Sequence, residues 1–154
     1  MKLLKLVLLL LLTQSLSAQK LLVSDLSCEH KINPMGIDLA QPRLSWKING
    51  TGRNIMQTSY SIRVATNKNF AAKTIVWQSE KINSAESVLQ SYAGKALQSG
   101  QRYYWQVKVW DANKNESVWS TAAFWDMGLL QPNNWKANWI QPVQDTTRHI
   151  PGLL

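Results

Sequence analysis

Cys28 and His30 have the clearest potential for nucleophilic chemistry, because side chains two positions apart face the same side of an extended strand. A cysteine nucleophile also needs an oxyanion site and a third group that orients the base. The sequence offers neither, and His149 lies in the C-terminal tail. We therefore expect Cys28 to be a free thiol and His149 to be solvated. A single cysteine also excludes a disulfide framework and a cysteine-cluster zinc site.

Asp111, Asn113 and Asn115 have the spacing of the first three ligands of a calcium loop. The sixth position of such a loop requires glycine and here holds Glu116, and the twelfth requires glutamate and holds Ala122. A hairpin turn accounts for the same residues. The sequence predicts no metal site and no cofactor.

Carboxylates are the other groups that could act as acid and base. Catalysis by a carboxylate pair needs two of them on either side of the substrate, one with a raised pKa. Glu29 and Asp38 flank a loop whose backbone amides they could hold, and most of the others fall at turns or strand ends. We therefore assign a catalytic role to none of the nine carboxylates: Asp25, Glu29, Asp38, Glu80, Glu86, Asp111, Glu116, Asp126 and Asp145.

The elements that position these groups follow from a period-two alternation of apolar and polar residues, which predicts half-buried antiparallel strands. The clearest runs are residues 44–48, 60–64 and 103–109. Further strand candidates are residues 21–28, 74–78, 87–91 and 122–128. About seven short strands separated by turns predict an all-β, two-sheet sandwich of the fibronectin type III/immunoglobulin type.

Leu97, a turn, and then Tyr103 at the start of an alternating strand indicate a tyrosine corner, in which the phenol bonds to upstream backbone. With no cysteine pair to bridge the sheets, a fibronectin type III-like sandwich fits better than an antibody-type one. We predict the sandwich at residues 19–129. Residues 130–154 are expected to be a linker and an irregular tail, in which residues 135–140 resemble the first strand of a further β-domain that is cut short.

The chain contains 8 Trp, and the strand pattern sorts the aromatic residues into two groups. Inward-facing rows place Trp46, Tyr60, Tyr103 and Trp105 in the structural core. Exposed aromatics can stack on sugar rings or bury a large area against a neighbouring domain. Three aromatics are predicted to face outward, where they would pack against a neighbouring domain, stack on a sugar or simply be partly buried: Trp77, Tyr104 and Trp110.

Residues 1–18 have the pattern of an export signal: Lys2 and Lys5 precede an apolar run at residues 6–12, and small residues end at Ala18. The apolar run is too short for a stable membrane anchor. We therefore expect a cleaved signal helix and a periplasmic or extracellular protein. The net charge of +8 comes from basic residues spread singly along the chain, which argues against a nucleic-acid partner.

Several short motifs follow one another along the chain. Cys28-Glu29 and residues 33–38 (Asn-Pro-Met-Gly-Ile-Asp) precede residues 41–46 (Gln-Pro-Arg-Leu-Ser-Trp), and residues 57–65, 103–111, 117–120 and 139–140 complete the series. In this order the motifs resemble those of the N-terminal domain of bacterial α-L-rhamnosidases, which open with E-N-P-x-G-I-D followed by x-P-R-L-S-W. The resemblance covers roughly residues 24–140.

That family consists of large modular glycoside hydrolases that release terminal α-L-rhamnose with inversion. The resemblance implies that this chain is an exported, non-catalytic accessory module, a fragment from which the catalytic part is missing. Further β-domains and an (α/α)₆ barrel with the catalytic carboxylates would follow. The expected partners are downstream domains of the same polypeptide, with a rhamnose-containing glycan as a second candidate. A self-standing secreted module that binds a glycan or a protein stays open as the alternative.

Overall fold

A computed structural model describes residues 21–50, 55–138 and 140, so the predicted signal helix and residues 141–154 lie outside the described residues. None of the described residues forms a helix with the length and apolar character needed to cross a bilayer. Two short 3₁₀ turns occur at Ala72–Thr74 and Pro132–Asn134. The strands are β1 (Leu21–Cys28), β2 (Arg43–Gly50), β3 (Gln57–Ala65), β4 (Ile75–Gln78), β5 (Ile82–Asn83), β6 (Gln90–Ser91), β7 (Arg102–Asp111) and β8 (Ala123–Asp126).

The strands form two antiparallel sheets. One sheet has the order β1-β2-β6, and the other has the order β4-β3-β7-β8 with β5 paired to β3. Strands β3 and β7 form the longest pairing in the second sheet, which continues from Gln57 opposite Asp111 to Ala65 opposite Tyr104. The predicted two-sheet sandwich is confirmed.

Alternation in β7 determines which of its residues enter the core. Tyr103, Trp105, Val107 and Val109 are buried, whereas the residues between them are half-buried on the outer face. From the opposite sheet, Leu44 and Trp46 in β2 meet this row, because the same period of two directs them inward. One hydrophobic cluster therefore fills the space between the sheets.

The turn before β7 is the predicted tyrosine corner. The backbone N–H of Gln98 donates a hydrogen bond to the Tyr103 hydroxyl oxygen at 2.9 Å. Leu97 is buried in the core cluster, and Gly100 takes a positive φ of 70° in the turn that leads into β7. The Leu-turn-Tyr pattern therefore correctly predicted a tyrosine side chain that holds the turn before β7.

The predicted strand at residues 87–91 is shorter in the structure, since only Gln90–Ser91 pairs with β2. Leu89 has a φ of 53°, which interrupts an extended strand, and its backbone N–H donates to Ser45 Oγ at 2.8 Å. Strand β5 was not predicted, because a two-residue strand is too short to show a period.

The stretch at residues 135–140, predicted as an opening strand, contains no strand in the part that the structure describes. The Pro132–Asn134 turn precedes it, and Asn134 accepts a hydrogen bond from Ser99 Oγ at 2.6 Å. Two tryptophans separated by mostly polar residues suggested a strand here. No neighbouring strand pairs with the described part of this segment.

Candidate functional site

The four aromatics expected in the core all lie in the cluster between the sheets. Trp105 is 0% exposed, and Trp46 is 2% exposed. The rings of Trp46 and Tyr60 meet edge-on with centroids 5.0 Å apart, and Trp46 Nε1 donates to Gln57 Oε1 at 2.9 Å. Tyr103 stacks on the ring of Trp125 at 5.7 Å. These side chains are inaccessible to a ligand and hold the two sheets together.

Tyr104 and Trp110 lie on the outward row of β7, and both are half-buried. Tyr104 packs beside Phe124 with ring centroids 6.2 Å apart. The Lys81 ammonium lies 4.4 Å from the centre of the Trp110 ring, and Trp110 Nε1 donates to Glu116 Oε2 at 3.1 Å. The protein's own side chains therefore engage the two rings that were candidates for sugar stacking or docking.

Trp77 differs from the outward placement expected for it. The side chain is half-buried and packs against the core, edge-on to Tyr92 with ring centroids 5.1 Å apart. A methyl group built on Gly94 would lie only 2.6 Å from the Trp77 Cβ atom, so the segment that contains Gly94 covers this part of β4. Alternation within a four-residue strand could not reveal that covering segment.

A cation–aromatic stack crosses the outer face of the second sheet. The Arg63 guanidinium carbon lies 4.7 Å from the ring centre of Phe70 and 4.3 Å from that of Trp119. Arg63 also donates to Gln106 Oε1 from Nη2 at 2.6 Å and from Nε at 2.9 Å. Burial lowers the pKa of the Arg63 guanidinium. Sequence reasoning missed this stack, although alternation in β3 placed Arg63 on the outer row.

Ser117 and Ser120 explain how Trp119 reaches the stack. Their Oγ atoms accept hydrogen bonds from the backbone N–H of Val109 at 3.0 Å and of Val107 at 3.1 Å. Their own N–H groups donate to the carbonyls of the same two residues at 2.9 Å. Residues 117–120 thereby satisfy the part of the β7 edge beyond β8, and Trp119, directly before Ser120, lies against Arg63.

Two side chains anchor the loop between β1 and β2. Glu29 accepts hydrogen bonds from the backbone N–H of Arg43 and from its Nη2, each at 2.6 Å. Hydrogen bonding from Arg43 lowers the pKa of the Glu29 carboxyl. At the other side of the loop, Asn33 Oδ1 accepts from the N–H of Phe124 at 3.0 Å. Glu29 therefore holds a backbone amide, but the donating N–H belongs to Arg43 at the start of β2 and not, as the sequence had suggested, to the loop itself.

The same loop lies along the free edge of β8. The N–H of Asp126 donates to the Pro34 carbonyl at 2.9 Å, the N–H of Ile37 to the Asp126 carbonyl at 2.9 Å, and the N–H of Gly128 to the Ile37 carbonyl at 2.7 Å. Gly36 reaches this path with a φ of 76°, a conformation that glycine adopts without strain. The Asn-Pro-Met-Gly-Ile motif therefore covers the β8 edge, which would otherwise expose unpaired backbone groups.

The carboxyl groups with a resolved shift are suited to ion pairs and not to a general acid. Arg102 donates to both oxygens of Asp126, at 2.7 and 2.8 Å, and these hydrogen bonds lower the pKa of the Asp126 carboxyl. The pKa of Glu29 moves in the same direction. A general acid at neutral pH needs the opposite shift.

Asp111 organises the turn after β7. Its Oδ1 atom accepts hydrogen bonds from the backbone N–H of Asn113 and of Asn115, each at 2.9 Å, and its Oδ2 atom accepts from Asn115 Nδ2. The turn interpretation accounts for all of these contacts. Within residues 21–50, 55–138 and 140, no group of His, Cys, Asp and Glu side chains is arranged to hold a metal ion.

Cys28 is a buried free thiol, with 1% of its surface exposed. Burial raises the pKa of the thiol to about 12, which disfavours the nucleophilic thiolate. His30 does not share a strand face with Cys28, because β1 ends at Cys28 and the next two residues, Glu29 and His30, have φ values of 48° and 63°. The same-face arrangement expected from the sequence is therefore wrong.

A cleft of about 310 Å³ opens between β4 and the segment before the tyrosine corner. Two tyrosine hydroxyls line it, and both are engaged with backbone. Tyr92 donates to the Lys95 carbonyl at 2.9 Å, while Tyr103 accepts from Gln98. The cleft lies at the lower size limit of ligand pockets, and its two tyrosine hydroxyls are committed to holding the turn.

Comparison with known proteins identifies relatives over most of the sandwich. Residues 23–131 match the family model described as "Rha78A-like, N-terminal immunoglobulin domain". An alpha-L-rhamnosidase of Streptomyces avermitilis is 40% identical over 118 residues, which are 77% of this chain and 12% of that protein. An alpha-L-rhamnosidase of Formosa agariphila is 41% identical over 119 residues, 75% of this chain and 12% of that protein.

Solved structures give the same result. The crystal structure of Streptomyces avermitilis alpha-L-rhamnosidase complexed with L-rhamnose matches with a TM-score of 0.75 and 40% identity, over 79% of this chain and 12% of that one. The alpha-L-rhamnosidase from Dictyoglumus thermophilum matches with a TM-score of 0.74 and 35% identity, over 79% of this chain and 14% of that one. The chain therefore belongs to the family of Rha78A-like N-terminal immunoglobulin domains.

Proposed function

We propose that this chain is the non-catalytic N-terminal module of an α-L-rhamnosidase-like glycoside hydrolase. One observation carries the proposal: the 40% identity and the TM-score of 0.75 fall on only 12% of an α-L-rhamnosidase. Hydrolysis of terminal α-L-rhamnose, with inversion, would be performed by parts of the polypeptide outside the matched region. The chemistry of the described carboxylates supports this division, because the pKa values of Glu29 and Asp126 are lowered and both form ion pairs.

The role of the module would be to stabilise and position the domains that follow it. Its structure suits that role, because the core joins two sheets and the loop from β1 to β2 is tied to β8 by backbone hydrogen bonds. A rigid scaffold transmits a fixed orientation to whatever is attached to it, whereas a loosely packed one does not.

The alternative, a self-standing glycan-binding module, has less support. Sugar stacking needs an aromatic ring with an accessible face. Cations or rings of the protein itself lie against the outer aromatics: Lys81 against Trp110, Arg63 against Trp119, and Phe124 beside Tyr104. A glycan that stacked on the covered side of any of these rings would have to displace the contact there.

Export is part of the proposal and rests on the pattern of residues 1–18. Expression of the whole chain in a bacterium should give a periplasmic or extracellular product that begins at Gln19, which intact-mass measurement would detect. Recovery of the uncleaved chain from the cytoplasm would overturn the proposed export.

Hydrolysis of an aryl α-L-rhamnoside tests the non-catalytic role. We expect the purified 154-residue protein to release no aryl alcohol above the blank, with the Streptomyces avermitilis enzyme as the active control. Turnover that survives repurification and follows the protein through two chromatographic steps would contradict the proposal.

A further inference from the structure

Three exposed apolar side chains lie at the end of the sandwich where the chain leaves the domain. Met35 is 77% exposed, Leu39 is 44% exposed, and Leu129 is 48% exposed. They come from two segments that the hydrogen bond from Gly128 N–H to the Ile37 carbonyl holds side by side. We call Met35, Leu39 and Leu129, with Asp38 between the first two, the exit face.

The backbone of the exit face is fixed on both sides. Gly128 lies against Gly36, since a methyl group built on Gly128 would be 3.2 Å from the Gly36 carbonyl oxygen. On the other side, the Gly100 N–H donates to the Gly128 carbonyl at 3.2 Å, and the Leu130 N–H donates to Ser99 Oγ at 2.9 Å. A preorganised surface loses little conformational entropy when a partner covers it.

Asp38 adds a charged group to this fixed surface. It is exposed, and among residues 21–50, 55–138 and 140 it has no hydrogen-bond or ion-pair partner. The neighbouring residues Pro34 and Ile37 are bonded to β8, so the carboxylate of Asp38 is presented from a fixed backbone. A partner that fits the exit face would therefore be apolar, with a cationic or N–H donor opposite Asp38.

We propose that the exit face is the surface on which the next domain of the same polypeptide docks. This inference rests on the proposed function, because it requires a chain that continues beyond the module. One observation and one physical argument favour this occupant over another protein. The matching family model is that of an N-terminal domain and ends at residue 131, only two residues beyond Leu129. In addition, covalent attachment at this end gives the next domain a high effective concentration.

A chimera tests the proposal. Residues 23–131 of this chain would replace the matched segment of the Streptomyces avermitilis α-L-rhamnosidase, which is 40% identical to it. The docking variant carries Met35→Asp, Leu39→Asp and Leu129→Asp. The matched control carries Val118→Asp, at a side chain that is 73% exposed on the segment beside β7. Both sets are also placed in the 154-residue chain, where unchanged circular dichroism would show that the sandwich still folds.

We expect limited proteolysis at the junction to be on the order of tenfold faster in the docking variant than in the unsubstituted chimera. The control should be cleaved at the unsubstituted rate. Asp38→Asn should give an intermediate rate, because it removes only the charge. If the docking variant is cleaved at the junction at the same rate as the unsubstituted chimera, and the chimera is intact and active, the exit face is not the docking surface. The proposed function would be unaffected by that result.

Two other outcomes are decisive. If the unsubstituted chimera is inactive or its module is cleaved away at once, the proposed function fails together with the inference. If the 154-residue chain is a dimer in sedimentation equilibrium, and the docking substitutions make it a monomer, the exit face serves a second copy and the inference is wrong.

Discussion

Trp105 links the sequence pattern to the stability of the core at the scale of a single residue. It is fully buried, and its Nε1 is the only buried side-chain polar atom without a hydrogen-bond partner among the residues that the structure describes. We expect Trp105→Ala to lower the free energy of unfolding by roughly 3–5 kcal/mol, as an emptied aromatic site in a core does. Urea denaturation would measure it.

Trp105→Phe is the matched control for that substitution. It keeps most of the apolar contact and removes the unpaired N–H donor, whose burial is unfavourable. The loss should therefore be clearly smaller than for alanine. Equal losses for the two variants would contradict the core assignment, because the apolar contacts that phenylalanine keeps would then contribute nothing to stability.

Tyr103→Phe isolates the tyrosine corner. The substitution removes the oxygen that accepts from the Gln98 N–H and leaves the ring stacked on Trp125. We expect a loss of about 1 kcal/mol in the free energy of unfolding, the usual contribution of such a bond. Tyr104→Phe on the outer face is the control and should change stability by less than about 0.5 kcal/mol. A reversed order would contradict the inward assignment of Tyr103.

At the scale of elements, the sequence predicted the long strands well because each buries one face. Alternation placed Tyr103 and Trp105 inward and found β2, β3 and β7, and the further candidates at residues 21–28, 74–78 and 122–128 correspond to β1, β4 and β8. It failed where neighbours cover the outer row: Ser61 is buried, with its Oγ donating to the carbonyl of Ser79, and Trp77 is covered by the segment at Gly94. Such tertiary coverage has no period in the sequence.

The functional surfaces were less predictable than the strands. Tyr104 and Trp110 were expected to be available for a partner, yet Phe124, Lys81 and Glu116 engage them. Each of these partners is distant in sequence or lies in another strand or loop. The exit face likewise depends on the hydrogen bond from the Gly128 N–H to the Ile37 carbonyl, which joins two segments distant in sequence.

Two ion pairs join separate elements and give the sandwich a pH dependence. Glu29 binds Arg43, and Asp126 binds Arg102. The pKa of each carboxyl is lower in the folded state than its ordinary value of 4.5 or 3.8. The unfolded chain therefore takes up protons first, so this stabilisation is complete above about pH 5 and is lost as the pH falls through the lowered values.

We expect the melting temperature of the wild type to fall between pH 5 and pH 3 and that of Glu29→Gln/Asp126→Asn to fall less. Scanning calorimetry across this range would measure both curves. Asp25→Asn is the control, because its pair with Lys47 is largely exposed. Parallel curves for the wild type and the double variant would show that the two pairs do not contribute to folding.

Ser117 and Ser120 offer a second test at this scale. Changing both to alanine leaves the N–H groups of Val107 and Val109 without their acceptors. Hydrogen exchange at these two amides should become faster, while exchange at Tyr60 in the centre of the sheet should change much less. Uniform acceleration throughout the sheet would indicate global destabilisation and not a local role for the serines.

For the whole molecule, the central proposal is that this sandwich is an N-terminal structural module of an α-L-rhamnosidase-like enzyme. The most direct measurement is the heat resistance of the Streptomyces avermitilis enzyme, assayed as residual hydrolysis of an aryl α-L-rhamnoside after incubation at increasing temperatures. We predict that deleting the N-terminal domain of that enzyme lowers its inactivation temperature. Putting residues 23–131 of this chain in place of the deleted domain should restore most of the lost heat resistance. A replacement that behaves no better than the deletion would contradict the account.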